Sequence, residues 1–175
     1  MVGDRVVQAA PTVPPIAELL ANLKARRARI GVVGLGYVGI PLALTAAKAG
    51  FKVLGFDINE PRVDQINRGE NVINHIDAAD LAGAVSGRAF EATADFTRLD
   101  EPDAILICVP TPLTRHREPD LSYVENTARE AASRLRRGQL IVLESTTYPG
   151  TTDEVVRPIL EATGLKSGED FFLAY

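Results

Sequence analysis

Three glycines spaced Gly34-Leu35-Gly36-Tyr37-Val38-Gly39 are the residues in this chain best suited to chemistry. The pattern G-x-G-x-x-G is weak by itself, because glycines gather in turns. It gains meaning here from its neighbours: an apolar run precedes it and a helical pattern follows. In such a strand–turn–helix, Gly34 permits the tight turn, Gly36 lets backbone approach a pyrophosphate, and Gly39 lets helix pack on strand. The helix N-terminus then presents unpaired N–H groups and a partial positive charge to phosphate. Tyr37 and Val38, between the glycines, share that surface. Pro41 falls in the first turn, where a missing N–H is tolerated.

Asp57 closes the next apolar run and stands where an acid would hydrogen-bond the adenosine ribose 2′-hydroxyl. A carboxylate there repels a 2′-phosphate, so the expected cofactor is NAD rather than NADP. Arg62, five residues on, is near enough in sequence to weaken that preference.

Other candidates are weighed against plainer readings. Cys108, the only cysteine, lies in the run Ile105-Leu106-Ile107-Cys108-Val109 and reads as a small buried hydrophobe with an unactivated thiol. One thiol excludes a disulfide framework and a multi-cysteine metal site. His75 and His116 have no ligand-like spacing, so no metal is expected. His116, between Arg115 and Arg117, reads as a loop residue. Arg134, Arg136 and Arg137 read as cations suited to a helix C-terminus.

The elements that must position these residues follow from periodicity and caps. Residues 1–14 carry prolines and small residues without periodicity and read as a disordered lead-in. Over 15–28, Ile16, Leu19, Leu20 and Leu23 form one helical face, an N-terminal extension on the domain's edge. Strands are expected at 29–34, 52–57, 90–93, 104–109, 140–144 and 171–174. Helices are expected at 37–49, 60–68 (capped by Asn59), 77–85, 122–136 and 151–163. Ser122 with Glu125, and Thr151 with Glu154, read as capping boxes, and Pro158 predicts a kink. Six strands alternating with helices imply an α/β Rossmann-type doubly wound parallel sheet over 29–175. No linker to a second domain is visible, and Tyr175 follows directly on the last strand.

Composition agrees. Hydrophobic residues make up 46% and charged residues 24%, as in an ordinary globular protein. A net charge of −4 gives no basic field for nucleic acid. No apolar run approaches the ~20 residues that span a bilayer. The first fifteen residues lack the apolar segment of a secretory signal, so the expected location is cytoplasmic, with no membrane partner.

With the fingerprint placed, residues 29–175 resemble the N-terminal domain of the UDP-glucose/GDP-mannose dehydrogenase family. The resemblance rests on several motifs in order. They are Val33 to Gly39 with Pro41-Leu42-Ala43, Phe56-Asp57-Ile58-Asn59 with Arg62-Val63, and Cys108-Val109-Pro110-Thr111-Pro112. Asp120-Leu121-Ser122-Tyr123-Val124 and Glu144-Ser145-Thr146 complete the set. The stretches 111–120 and 144–152 resemble the branch acting on UDP-N-acetylhexosamines, above all its UDP-N-acetyl-D-glucosamine 6-dehydrogenase type.

That resemblance implies oxidation of a UDP-sugar C6 alcohol to a carboxylate with two NAD, for surface polysaccharide synthesis in bacteria. It implies that Pro110 and Thr111 pass the nicotinamide ribose, and that Ser145 and Thr146 lie beneath the nicotinamide. Thr146 would position a water near the reacting carbon; the plainer reading is a hydroxyl satisfying backbone at a strand end. The family's thiol, which holds the aldehyde as a thiohemiacetal and then a thioester, would lie beyond Tyr175. So would its assisting lysine, asparagine and glutamate and its substrate-binding domains. This chain alone is therefore expected to be inactive, and homo-oligomers are expected only of a longer protein. Two rivals stand beside this reading. One is a stand-alone nucleotide-binding module, which the length favours. The other is a 3-hydroxyacid dehydrogenase, which the Pro-Thr-Pro and Glu-Ser-Thr loops disfavour.

Overall fold

The computed structural model describes residues 15–74, 76–113 and 119–175. The expected lead-in over 1–14, His75, and the loop carrying His116 lie outside the described residues. The order is α1 (Pro15–Lys24), β1 (Arg29–Val33), α2 (Gly39–Lys48), β2 (Lys52–Phe56), α3 (Glu60–Asn67), α4 (Ala78–Ser86), β3 (Phe90–Thr93), β4 (Ala104–Ile107), α5 (Ser122–Arg134), β5 (Leu140–Leu143), α6 (Arg157–Glu161) and β6 (Phe172–Ala174).

All six strands pair in parallel in the order β3-β2-β1-β4-β5-β6. The order runs outward from β1 in one direction and then from β4 in the other. Ligands of such sheets bind where that reversal leaves a crevice, at the carboxyl ends of β1 and β4. The strands are short apolar runs because both faces are covered. One core holds Val32, Leu35, Ile40, Leu44, Val53 and Phe90 with α2 and α4. The other holds Val33, Phe56, Ile107, Val124, Ile141 and Leu160 with α5 and α6. Leu19 of α1 is buried and Leu23 packs on the first core, which docks the N-terminal helix, but the helix ends at Lys24 rather than 28 and Ile16 and Leu20 of its expected face are exposed.

Several expectations change in detail. Helix α2 begins at Gly39 rather than at 37, because Gly36 to Val38 form a turn that ends with no side-chain cap. Strand β4 ends at Ile107, so Cys108 and Val109 lie just past it; prolines 110 and 112 cannot extend the ladder. The Ser122–Glu125 capping box does not form. Asp120, two residues earlier, accepts the Ser122 N–H at 2.9 Å and leaves Ser122 as the first helical residue.

The Thr151–Glu154 box is also absent, since the buried Thr151 hydroxyl donates back to the Tyr148 carbonyl at 2.9 Å. The kink expected at Pro158 takes the form of a π turn over Thr152–Val156, which widens the helix just before the proline. A short 3-10 turn, Phe96–Asp100, escaped the periodicity, although Asp95 caps it by accepting the Thr97 N–H. Arg136 and Arg137 lie beyond the end of α5. They clasp Asp103 and Asp170, so they tie loops together rather than serve the helix dipole.

Candidate functional site

The glycine-rich turn leaves β1 at the crevice. Gly34 has φ +94°, and a Cβ on it would stand 2.7 Å from the Cys108 carbonyl oxygen, so both conformation and space demand glycine. A Cβ on Gly39 would fall 1.8 Å from the Gly34 carbonyl oxygen, which lets α2 press against the turn. Gly36 differs: a Cβ there meets nothing within 4 Å. The protein does not need glycine at 36 for its own packing, and the space is open toward a ligand. Helix α2 has no side-chain cap, so no protein side chain serves its N-terminus, although the Ile40 N–H bonds the Gly36 carbonyl at 3.2 Å. These features fit a bound pyrophosphate. Tyr37 and Val38 are exposed beside it.

Asp57 stands at the end of β2, with its side chain largely buried. One carboxylate oxygen accepts the Leu35 N–H and the other the Asn59 N–H, each at 2.9 Å. Arg62, presented by α3, donates to the Leu35 carbonyl at 3.2 Å and lies 4.0 Å from the Asp57 carboxylate. Both polar groups of the Leu35 backbone are thus held from β2 and α3. The Leu35 side chain is fully buried. It packs so near Gly55 that a Cβ on that glycine would sit 2.7 Å from it. Leu35 and Gly55 are site-shaping residues that the motif reading missed. So are Val72, Ile73 and Asn74, which line a small cleft with Gly36, Tyr37 and Arg62. The apolar pair Val72-Ile73 in the loop after α3, with Ile73 buried, was the available signal.

The loops after β4 and β5 form the opposite wall and are stitched together. The Thr111 hydroxyl donates to the Thr146 carbonyl at 2.7 Å, and the Ser145 hydroxyl donates to the Val109 carbonyl at 2.7 Å. Ser145 is buried, so its hydroxyl serves the loop pair. Thr146 and Pro110 are exposed and Thr111 is half-buried. The structure therefore places Gly34, Gly36, Gly39, Asp57 and Arg62 on one side of the crevice and Pro110, Thr111, Ser145 and Thr146 on the other.

Cys108 lies beneath this crevice, half-buried. Burial, and secondarily the charge of Glu144, push its thiol up to about 12, which leaves it protonated and a poor nucleophile at neutral pH. Among the described residues no group of His, Cys, Asp and Glu is placed to hold a metal ion. None of their helices is long and apolar enough to cross a membrane.

Residues 28–175 match the model of a family described as UDP-glucose/GDP-mannose dehydrogenase family, NAD binding domain. The chain is 38% identical over 148 residues to the UDP-N-acetyl-D-glucosamine 6-dehydrogenase of Pseudomonas aeruginosa, covering 84% of this chain and 34% of that protein. It is 44% identical over 138 residues to the UDP-N-acetyl-D-mannosamine dehydrogenase of Escherichia coli K12, covering 77% and 31%. The crystal structure of NDP-N-acetyl-D-galactosaminuronic acid dehydrogenase from Methanosarcina mazei Go1 superposes with a TM-score of 0.80 at 38% identity, over 93% of this chain and 36% of that one. The chain spans about a third of the length of these relatives. A parallel sheet with its reversal at β1 and β4, a glycine turn open only at Gly36, and a match over nearly the whole chain lead to one conclusion: the chain belongs to the UDP-glucose/GDP-mannose dehydrogenase family, as its NAD binding domain.

Proposed function

We propose that this chain is the cofactor half of a dehydrogenase that oxidises the C6 alcohol of a UDP-sugar, UDP-N-acetylglucosamine above all, to a carboxylate. The observation that carries the reading is the crevice itself. Its glycine-turn wall is left open at Gly36, and the Thr111 and Thr146 loops face that wall across the sheet's reversal. The overall change is alcohol plus two NAD+ plus water to carboxylate, two NADH and three protons. NAD supplies the hydride acceptor when bound.

The chain's own residues bind and orient. The Gly36 backbone and the α2 N-terminus take the pyrophosphate, and Asp57 takes the adenosine ribose 2′-hydroxyl while Arg62 holds the turn. The tied loops carrying Pro110, Thr111, Ser145 and Thr146 form the nicotinamide wall. The Thr146 hydroxyl, exposed and able both to donate and to accept, holds a water near the reacting carbon.

The unit comprises residues 29–175 with 15–28 as its helical extension. The enzyme serves surface polysaccharide synthesis in the bacterial cytoplasm and associates into homo-oligomers in its longer form. The test is calorimetry followed by turnover. The chain should bind NAD and give no NADH with UDP-N-acetylglucosamine, UDP-N-acetylmannosamine or UDP-glucose. A protein of the relatives' full length should give two NADH per sugar, and Thr146→Val in it should lower kcat more than it raises KM. NADH formation by the 175-residue chain, or a full-length protein with no preference for the N-acetylated sugars, would overturn the assignment.

A further inference from the structure

The opposite edge of the sheet, where the strands begin, carries a second cleft of about 520 Å³, within the ~300–1,000 Å³ usual for small-molecule sites. Its rim holds Arg27, Arg29, Lys52 and Arg88 together with one carboxylate, Glu91, and Val53 and Phe90 are buried in its floor. Arg29 opens β1, Lys52 opens β2, and Arg88 leads into β3, so three adjacent parallel strands bring the cations to one place.

The charges there are not balanced. Arg29 and Arg98 are shared between Glu91 and Glu101, and that group of four neutralises itself. Arg27 bonds only the Asn22 amide oxygen, and Lys52 only the Arg88 carbonyl at 2.7 Å. Among the described residues, no carboxylate pairs with Arg27, Lys52 or Arg88. A chain with 23 acidic and 19 basic residues and a net charge of −4 has carboxylates to spare, so three bare cations around one cleft are not an overflow of positive charge.

Arg88 adds an independent sign. Helix α4 ends with the Ala89 N–H bonded to the Ala84 carbonyl and the Arg88 N–H to the Val85 carbonyl, a closure whose left-handed position favours glycine. Gly87 occupies the preceding, right-handed position at φ −75°, while Arg88 takes the left-handed one at φ +53°. The chain holds an arginine in a conformation that costs it about 1–2 kcal/mol, and its guanidinium has no partner among the described residues. Lys52 pins the carbonyl of that same residue, which fixes the direction of the turn.

We propose that this cleft is a binding site for an anion carrying two or more phosphoryl groups, separate from the dinucleotide crevice at the other end of the strands. Two guanidinium forks and one ammonium match several phosphate oxygens in geometry, and a charge near −3 matches three unpaired cations.

The test is isothermal titration of the full chain with inorganic tripolyphosphate while NAD is held saturating, so that the dinucleotide crevice is occupied. One saturable site is expected. Arg88→Gly suits the left-handed turn and should melt no lower than the parent, yet it should weaken tripolyphosphate binding about tenfold. Lys52→Gln should weaken it to a similar degree, and NAD affinity should be unchanged in both. Citrate, of similar charge but built of carboxylates, should bind at least about tenfold more weakly. Absence of a saturable site under NAD, unchanged affinity in both variants, or citrate equal to tripolyphosphate would each overturn the proposal.

Discussion

The Asp57 carboxylate and the Leu35 N–H are joined by a hydrogen bond of 2.9 Å, so the acid at the end of β2 holds the glycine-rich turn in addition to the ribose contact proposed for it. Asp57→Ala should therefore do two things. It should narrow the preference for NAD over NADP, and it should cost about 1–3 kcal/mol of stability by leaving the part-buried Leu35 N–H unpaired, the exposed Asn59 N–H turning to water. Asp57→Asn keeps one acceptor oxygen and should recover part of the stability without recovering the discrimination. Calorimetry with both cofactors and chemical denaturation check the two effects separately. Equal affinity of the unmodified chain for NAD and NADP would contradict the role.

The glycines divide by what surrounds them. Gly36→Val adds atoms into open space and should leave the melting curve close to the parent while NAD binding is lost. Gly39→Ala drives a methyl into the Gly34 carbonyl and should destabilise the fold itself. Retained NAD affinity in Gly36→Val would mean that the opening is not where the pyrophosphate lies.

Cys108 gives a pH signature. Its folded-state thiol pKa of about 12 exceeds the ordinary value of 9.0, so the native state retains a proton that the unfolded chain releases. The resulting stability is fully present below the unfolded value and is lost as pH rises from there toward 12. Cys108→Ala should flatten that alkaline decline. Iodoacetamide at neutral pH should label the unfolded chain much faster than the folded one, and fast labelling of the native protein would show an accessible thiolate.

The two loop stitches should differ in cost. Ser145→Ala removes a buried hydroxyl and strands the Val109 carbonyl, so about 1–3 kcal/mol should be lost in urea denaturation. Thr111→Val breaks a solvent-exposed bond to the Thr146 carbonyl and should cost little stability. It should nonetheless weaken NAD binding by loosening the wall. A larger denaturation effect for Thr111→Val than for Ser145→Ala would reverse the assignment of buried and exposed stitches.

What could be read in advance depended on how local each cause is. Strands β1, β4 and β5 were legible because a strand covered on both faces is a continuous apolar run. Gly34, Gly36, Gly39 and Asp57 were legible because the turn imposes fixed spacing. The capping boxes failed where a nearer partner intervened: Asp120 reached the Ser122 N–H, and Thr151 turned back to the Tyr148 carbonyl. The turn at Phe96–Asp100 has one buried apolar residue, Leu99, and so no period to detect. The part played by Leu35 was invisible because it depends on Gly55 and Arg62, far along the chain, while the motif treats position 35 as arbitrary.

The π turn over Thr152–Val156 leads directly into α6 and Pro158. A π turn contains one residue more than the α-helical turn it replaces, and that surplus moves the preceding carbonyls away from the proline ring. The segment is therefore sensitive to length rather than to composition. Changing Pro158 to alanine leaves the extra residue in place, and the wide turn with it. Deleting one residue from 152–156 would remove that surplus and leave a regular α-helical turn, with the residues on either side kept on their faces but the turn's carbonyls brought onto the Pro158 ring. Shortening this segment and replacing Pro158 are therefore coupled genetic changes, each tolerated best in the company of the other.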